Sequence, residues 1–490
     1  MAYQNTLPKK SEDLSAWYNQ IVLSAELADY GPAKGTMIFR PYGYRIWELV
    51  QEAMDKRIKD HGVDNAYFPL FIPESFLKRE KEHVEGFAPE LAVVTVGGGE
   101  ELEEKLVVRP TSETIMYDAY SRWIQSWRDL PILINQWNNV VRWEKRTYLF
   151  LRTTEFLWQE GHTAHATHED AVDTQKWAMQ MYADIYKEYF ALPGIVGYKS
   201  QSEKFAGADA TLTYESLMPE GKALQACTSH DLGQNFAKAF NISFQDKEGK
   251  SEYAWQTSWG FSTRSLGGLF MAHGDDKGLV LPPKLAPIKV VILPVLGKDD
   301  KKVLDFCEEI KKSIKAVDSQ FLGKVEVLDQ DWKSIGWKAS DAEMRGIPII
   351  IPVGLKEAEG GDIKIQTRIE GYFKDENTYG NLVPVTSENI GAEVERVLSL
   401  IQGRLLENAQ KFLKENTHIV NSYDELKKYM ETTKGFLKAF WCEDATCESK
   451  IKEETKATTR CLPLDAPEES GKCVYCGKDA THRWIFAQAY

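Results

Sequence analysis

The chain has 490 residues, enough for about two to four domains with full hydrophobic cores. Its composition is ordinary for a globular protein, no apolar run approaches the length that spans a bilayer, and the opening MAYQNTLPKKSEDLSAWYNQ lacks a signal-peptide core, so the expectation is a cytoplasmic protein with no membrane partner. A formal net charge of −13 argues against bulk affinity for DNA or RNA and leaves any nucleic-acid role to local motifs.

In chain order, residues 11–27 predict a helix, with Leu14, Trp17 and Ile21 at helical spacing. Residues 35–43 read as turn-rich and strand-like, and 46–58 as an amphipathic helix. Residues 65–73, NAYFPLFIP, predict an apolar strand. Its two prolines cannot donate to a ladder, which puts it at a sheet edge or a subunit interface. In VVRPTSET, at 107–114, Thr111, Ser112 and Glu113 open a helix that runs through Tyr117 and Trp123. Helix capping alone would account for polar residues there.

Residues 140–165, VVRWEKRTYLFLRTTEFLWQEGHTAH, predict two strands joined by a tight loop around 145–150. Strand alternation places Arg142 and Glu144 on one face going out, and Arg152, Thr154, Phe156, Trp158, Glu160 and His162 on that face coming back. A solvated sheet face would also carry charge, but it has little use for Phe156 and Trp158. Guanidinium forks for phosphate, rings for a flat base and carboxylates for an amine together suit the floor of a site for a nucleotide and a small amine.

A long helix is expected at 169–188, with strands at 195–199 and 208–215. Residues 224–240 place Thr228, Ser229 and His230 ahead of a helix, where such a cluster can be only a cap. Residues 255–268 run from a strand into a glycine-flanked helix start holding Arg264. The helix dipole disfavours a cation there, so Arg264 calls for an anionic partner, and a helix start is a natural phosphate site. The proline-rich stretch 278–287 marks a domain boundary. Beyond it, strands at 289–296, 325–328, 348–353 and 361–368 alternate with helices at 299–315 and 334–345, the pattern of a compact α/β domain. A charged helix at 390–416 closes it, and 423–431 begins a third module.

Five of the seven cysteines lie after residue 440. Cys442 with Cys447 and Cys473 with Cys476 form two close pairs across a loop, the usual build of a tetrahedral four-thiolate zinc site with no open position. Cys461 is left over as a small buried residue.

Taken together, the ordered motifs resemble those of the prolyl-tRNA synthetases of archaeal/eukaryote-like type. Residues 65–73, with Pro69, resemble motif 1 of class II synthetases; Arg142-Trp143-Glu144 through His162 resemble motif 2; and 260–268, with Arg264, resemble motif 3. RPTSE at 109–113, Thr228-Ser229-His230, residues 273–283, the C-terminal cysteines and Tyr490 resemble the proline-specific elements. The resemblance implies an α/β and α+β multidomain fold: a class II antiparallel-sheet catalytic domain at 1–286, an α/β anticodon-binding domain at 287–405 and a small zinc-binding domain at 406–490. It implies a homodimeric proline–tRNA ligase that uses ATP with Mg2+, forms prolyl-adenylate from L-proline and charges tRNA(Pro), with Zn2+ as a structural ion.

Residue roles follow from the same resemblance. Arg142 and Arg264 are the expected catalytic pair, Arg142 bridging the α-phosphate and the proline carboxylate and Arg264 holding the far end of ATP. Glu144 suits the adenine amino group, Arg152 and Thr153 the triphosphate, and Phe156 the base. Gln225, Thr228 and Ser262 resemble ribose, phosphate and Mg2+ contacts. Thr111 and Glu113 are assigned to the proline ammonium and His230 to its pocket, with Trp158, Glu160 and His162 as walls. The attacking carboxylate is already ionised, so positioning and electrostatics replace a general base. Only 166–254 separates motifs 2 and 3, so no cis-editing insertion is expected. The anticodon-binding part departs from the family at Ala339 and Ala342, where aromatic residues are usual, while Glu343 is kept. In the family the final tyrosine, here Tyr490, points toward the active site.

The alternatives are another class II synthetase, such as a threonyl or glycyl enzyme, a non-catalytic paralogue, and a zinc hydrolase. Cys227 lacks a histidine pair to bind a core metal, all three phosphate-gripping arginines are present, and a four-thiolate site has no place for a water.

Overall fold

The computed structural model describes residues 7–77, 91–297, 299–317, 323–369 and 385–490. Its spine is a sheet of eleven strands. From one edge the order is Thr417–Ile419, Phe436–Phe440, Arg483–Ala487, Thr458–Pro463, Ile195–Tyr198, Ala210–Leu217, Ala223–Gly233, Trp255–Ser262, Glu155–His165, Ile132–Val141 and Asp64–Asn65. The two outermost pairs are parallel and the interior pairs antiparallel. Sequence-distant parts meet in mid-sheet, where Leu462 pairs with Tyr198 and Pro463 with Gly197. A Cβ on Gly197 would lie 2.3 Å from the Leu462 carbonyl oxygen, so only glycine lets these strands close.

The helix His168–Glu188 covers one face of the sheet. Ala171, Thr174, Ala178, Tyr182 and Ile185 recur every three or four residues and are buried. Tyr182 donates to Gln159 Oε1 at 2.6 Å, which fixes odd-numbered Gln159 toward the helix and its even-numbered neighbours toward the other face. Pro41 pre-sets the first turn of the helix Pro41–Asp60, whose Ile46, Trp47, Val50, Met54 and Ile58 pack into the same core. Each such large side chain contributes about 1.5–3 kcal/mol.

Residues 288–369 build a second sheet in the order Lys324–Val327, Ile288–Pro294, Ile349–Val353, Gln366–Thr367, with the first three strands parallel. The helices Asp300–Lys315 and Ile390–Glu415 pack on it. No helix among the described residues is long and apolar enough to cross a membrane.

Several local expectations are corrected. The strand expected at 65–73 is split into Asp64–Asn65 and Phe71–Pro73. Pro69 has no N–H to offer, and side chains serve the stretch between: the Phe68 amide donates to Gln136 Oε1, and Arg109 donates to the Phe68 carbonyl at 2.7 Å. The tight loop at 145–150 is a longer excursion over 142–154, because Leu149, Phe150 and Leu151 are buried and draw it onto the core. Arg142, Glu144, Arg152 and Thr154 therefore stand on that loop and not on strand positions. Thr228, Ser229 and His230 do not cap a helix; they lie inside the strand Ala223–Gly233. Of residues 35–43 only Met37–Phe39 is strand, and of 361–368 only Gln366–Thr367.

Candidate active site

A cavity of about 290 Å3 opens on the sheet face opposite the helix His168–Glu188. Period-two alternation along Glu155–His165 delivers Phe156, Trp158, Glu160 and His162 to it, as expected. Thr111, Glu113, Arg142, Gln225, Thr228, His230, Ser262 and Arg264 line it as well. Gln225 and Thr228 are three apart and would face opposite ways on a regular strand. A register shift opposite Tyr214 and Glu215 leaves Ala226 as the extra residue, and this bulge brings both to one face.

At one end, Thr111 donates to the Glu113 carboxylate. Glu160 beside it is saturated. It accepts from the Ser112 amide at 3.1 Å, the Ser112 hydroxyl, Asn138 Nδ2 at 2.6 Å and His162 Nε2 at 3.0 Å. Burial opposes the Glu160 charge, yet these donors hold its carboxyl well below the usual range. Glu113 and Glu160 in turn raise His162 against the effect of its burial. The bonds of Glu160 are spent on architecture, so Glu113 is the carboxylate suited to an incoming cation.

Toward the other end, Arg142 Nε donates to the Pro110 carbonyl at 3.1 Å, and its guanidinium lies 5.5 and 5.4 Å from the Phe156 and Trp158 ring centres. Arg264 opens the helix Arg264–His273 and donates to the Leu151 carbonyl at 3.0 Å. Burial and then the charges of Arg142 and Arg152 lower its pKa, so an anion at this spot relieves all three cations. Glu144, Arg152 and Thr153 do not line the cavity. Glu144 pairs with Arg152 at 2.7 Å, and Thr153 donates to the Glu155 carbonyl at 2.7 Å.

The sequence reading missed Lys199, Glu203, Phe205, Thr211 and Ser258 in the lining. A signal was available: ATLTYESL at 210–217 alternates Thr211, Thr213 and Glu215 on a strand that is buried from Thr211 onward, where polar residues need partners. Glu215 meets three, Lys199 at 2.9 Å, Arg460 at 2.9 Å and Thr213 Oγ1 at 2.9 Å. Tyr490 stays outside the cavity; its amide donates to the Ala223 carbonyl at 3.1 Å, at the start of the strand carrying Gln225 and Thr228.

Burial holds His165, His230 and His273 down at about 4, 3 and 4. Unfolded, each would titrate near 6.5, so below that pH the unfolded chain takes protons that the folded chain refuses. Stability then falls with pH by about 1.4 kcal/mol per unit for each histidine. His162 has the opposite sign: its share is complete below about 6.5 and is lost as pH rises through its raised value. The expected result is a lower urea midpoint at pH 5 than at pH 6.5; an unchanged midpoint would show these rings protonated in the fold.

Cys442, Cys447, Cys473 and Cys476 converge, with all four sulfurs within 4.8 Å of one another. Cys442 Sγ lies 3.8 Å from Cys447 Sγ and 3.6 Å from Cys476 Sγ. A tetrahedron of thiolates around an ion at 2.3 Å has edges of roughly 3.8 Å, so the residues fit a four-coordinate thiolate-bound metal. Cys461 is buried elsewhere, as expected.

An antiparallel core sheet, a phosphate-suited helix start and an arginine-lined cavity define a class II aminoacyl-tRNA synthetase, and residues 94–272 match the family model of the tRNA synthetase class II core domain (G, H, P, S and T). Residues 289–389 match the anticodon binding domain and 423–490 the C-terminal domain of prolyl-tRNA synthetase. The chain is 52% identical over 489 residues to a proline–tRNA ligase of Chlorobium luteolum, covering 98% of each protein. It is 47% identical over 483 residues to that of Natranaerobius thermophilus, covering 98% of this chain and 97% of the other. A crystal structure of prolyl-tRNA synthetase from Cryptosporidium parvum, complexed with halofuginone and AMPPNP, superposes with a TM-score of 0.91 at 38% identity, covering 100% of this chain and 98% of that one. The chain belongs to the prolyl-tRNA synthetase family.

Proposed function

We infer that the enzyme attaches proline to tRNA, and that the cavity is where proline and ATP join as prolyl-adenylate before transfer to tRNA(Pro). The observation that carries the site assignment is the placement of Arg142. It is bonded beside the Thr111–Glu113 pair, and its charge reaches Arg264. In this reading Glu113 and Thr111 take the secondary ammonium, with Trp158, His162 and His230 around the ring. Arg142 spans the proline carboxylate and the α-phosphate, and Arg264 holds the far end of ATP. Phe156 stacks on the base, and Gln225, Thr228 and Ser262 take ribose, phosphate and Mg2+. Glu144, Arg152 and Thr153 reach the nucleotide from the loop, which requires the Glu144–Arg152 pair to open. The in-line attack gathers negative charge between the two arginines, where a dry, preorganised site stabilises it most.

A boundary near 286 is supported by the matched families and by the new sheet that begins at Ile288, and a third module by the match over 423–490, while the helix Ile390–Glu415 runs unbroken through the division expected at 405 and 406. A homodimer is supported by Tyr67 and Phe71, which are 72% and 47% exposed beside Pro69. The sulfur spacing supports a structural Zn2+, and cysteines grouped to hold a metal fit a cytoplasmic setting. The absence of an editing insertion is supported by the use of 166–254, which goes into core helices and strands.

Pyrophosphate exchange with ATP, without tRNA, across the standard amino acids tests the site. Strong exchange with proline alone is expected. Exchange with another amino acid overturns the pocket assignment, and none at all moves a non-catalytic paralogue to the front. Alanine is the one to watch: it lacks two of the ring carbons, and each missing methylene weakens binding by only about 1–3 kcal/mol.

A further inference from the structure

One wall of the cavity has no part in the roles above. Lys199, Glu203 and Phe205 form it, and all three come from the turns that follow the strand Ile195–Tyr198. Turns without a ladder take their shape from whatever ties them down. Here the Lys199 amide is tied to the Thr211 carbonyl at 2.9 Å, and further ties come from the C-terminal module. Glu448 accepts hydrogen bonds from Ser200 Oγ at 2.7 Å, from the Ser202 hydroxyl and from the Thr459 hydroxyl. Lys452, one helical turn on, reaches Glu203 at 3.0 Å. Arg460 grips Glu215 through Nε and one terminal nitrogen at 3.0 and 2.9 Å, and Glu215 holds Lys199. Glu448 and Arg460 are only 4% and 5% exposed, so these are built contacts and not surface pairings.

The same turns press on the cavity from their other side. Phe205 stacks on His230 with ring centres 4.5 Å apart, and its amide donates to Thr211 Oγ1 at 3.0 Å. Thr211 Oγ1 in turn meets His230 Nδ1 at 2.9 Å. A connected path therefore runs from Glu448 to Ser200, whose carbonyl accepts from the Glu203 and Lys204 amides, and on along the backbone through Phe205 to His230. Of the nucleotide side, Thr228 adjoins it, its Oγ1 lying 3.1 Å from His230 Nε2, while Arg264 and Phe156 are remote. Trp255–Ser262, which leads into Arg264, and Glu155–His165, which carries Phe156, lie four and five strands away from Thr458–Pro463.

We infer that Glu448 is a positioning residue for amino-acid binding: through the turns at 199–205, the C-terminal module sets the wall that faces proline and leaves the Arg264 and Phe156 end of the ATP site unaffected. This rests on the reading of the cavity as the proline site. The test uses the full-length enzyme and pyrophosphate exchange, with KM for proline and for ATP measured separately in Glu448→Ala, Glu448→Gln, Ser202→Ala and Glu113→Gln. Glu448→Ala is expected to raise the proline KM about tenfold with the ATP KM within about twofold. Glu448→Gln still meets the hydroxyls and should recover most of the loss. Ser202→Ala, a change too small to disturb the fold, should raise the proline KM by about threefold with metal content and melting temperature unchanged. An unmoved proline KM in both Glu448→Ala and Ser202→Ala overturns the inference. So does an equal rise for both substrates with loss of metal, which would make Glu448 a fold contact. If Glu113→Gln also leaves the proline KM unmoved, the site assignment itself fails; if Glu113→Gln raises it while the other two do not, only the coupling fails.

Discussion

Arg142→Ala is expected to reduce proline-dependent pyrophosphate exchange by about 100- to 1,000-fold, close to 3–4 kcal/mol of lost transition-state stabilisation. The protein should stay folded, because the one backbone group that Arg142 Nε serves, the Pro110 carbonyl, lies beside the open cavity where water can replace it. The loss should fall on kcat/KM for both substrates, since the guanidinium is placed to touch each. Arg142→Lys should rescue little: a point charge cannot bridge two oxyanions as a planar fork does. Steady-state exchange with each substrate varied in turn reads this directly. A defect confined to the ATP KM would remove Arg142 from the proline carboxylate.

The second large effect is expected at the cysteines. Cys473→Ser should lower bound zinc from about one per chain to near zero, because structural zinc sites of this kind contribute about 10–16 kcal/mol of apparent binding energy that is spent on folding. Hydrogen exchange should then accelerate first in the strands Phe436–Phe440, Thr458–Pro463 and Arg483–Ala487. Cys461→Ser is the contrast. That thiol is fully buried but lies outside the cluster, so the variant should keep its metal. Elemental analysis beside hydrogen exchange separates the two, and full zinc in Cys473→Ser would refute the four-thiolate site.

Most of the site could be read from the chain where a simple period governed it. Phe156, Trp158, Glu160 and His162 share a face because the strand is regular, and two-residue alternation needs no tertiary information. The cysteines were legible because tetrahedral coordination demands close pairs. The reading failed where tertiary contacts overrule local pattern. Alternation could not place Gln225 with Thr228, since the bulge at Ala226 resets the parity of the strand. The 142–154 loop looked short because nothing local announces that Leu149–Leu151 will be buried. Lys199, Glu215 and Arg460 are 16 and 245 residues apart in sequence, and only the meeting of Thr458–Pro463 with Ile195–Tyr198 makes them one cluster.

That seam also sets an order of events during synthesis. The strand Ile195–Tyr198 leaves the ribosome with one side unpaired, and its partner Thr458–Pro463 follows about 260 residues later, a wait of roughly 10–50 s at ordinary translation rates. An open β edge held that long invites pairing with another nascent chain. Lys199, just past that edge strand, and Glu215, on the strand beside it, are buried charges there, and a foreign strand lacking an arginine at the right register would bury them poorly. The charges that complete the folded enzyme would thus also guard the unfinished one, and Arg460 would serve as the key that its own chain supplies last.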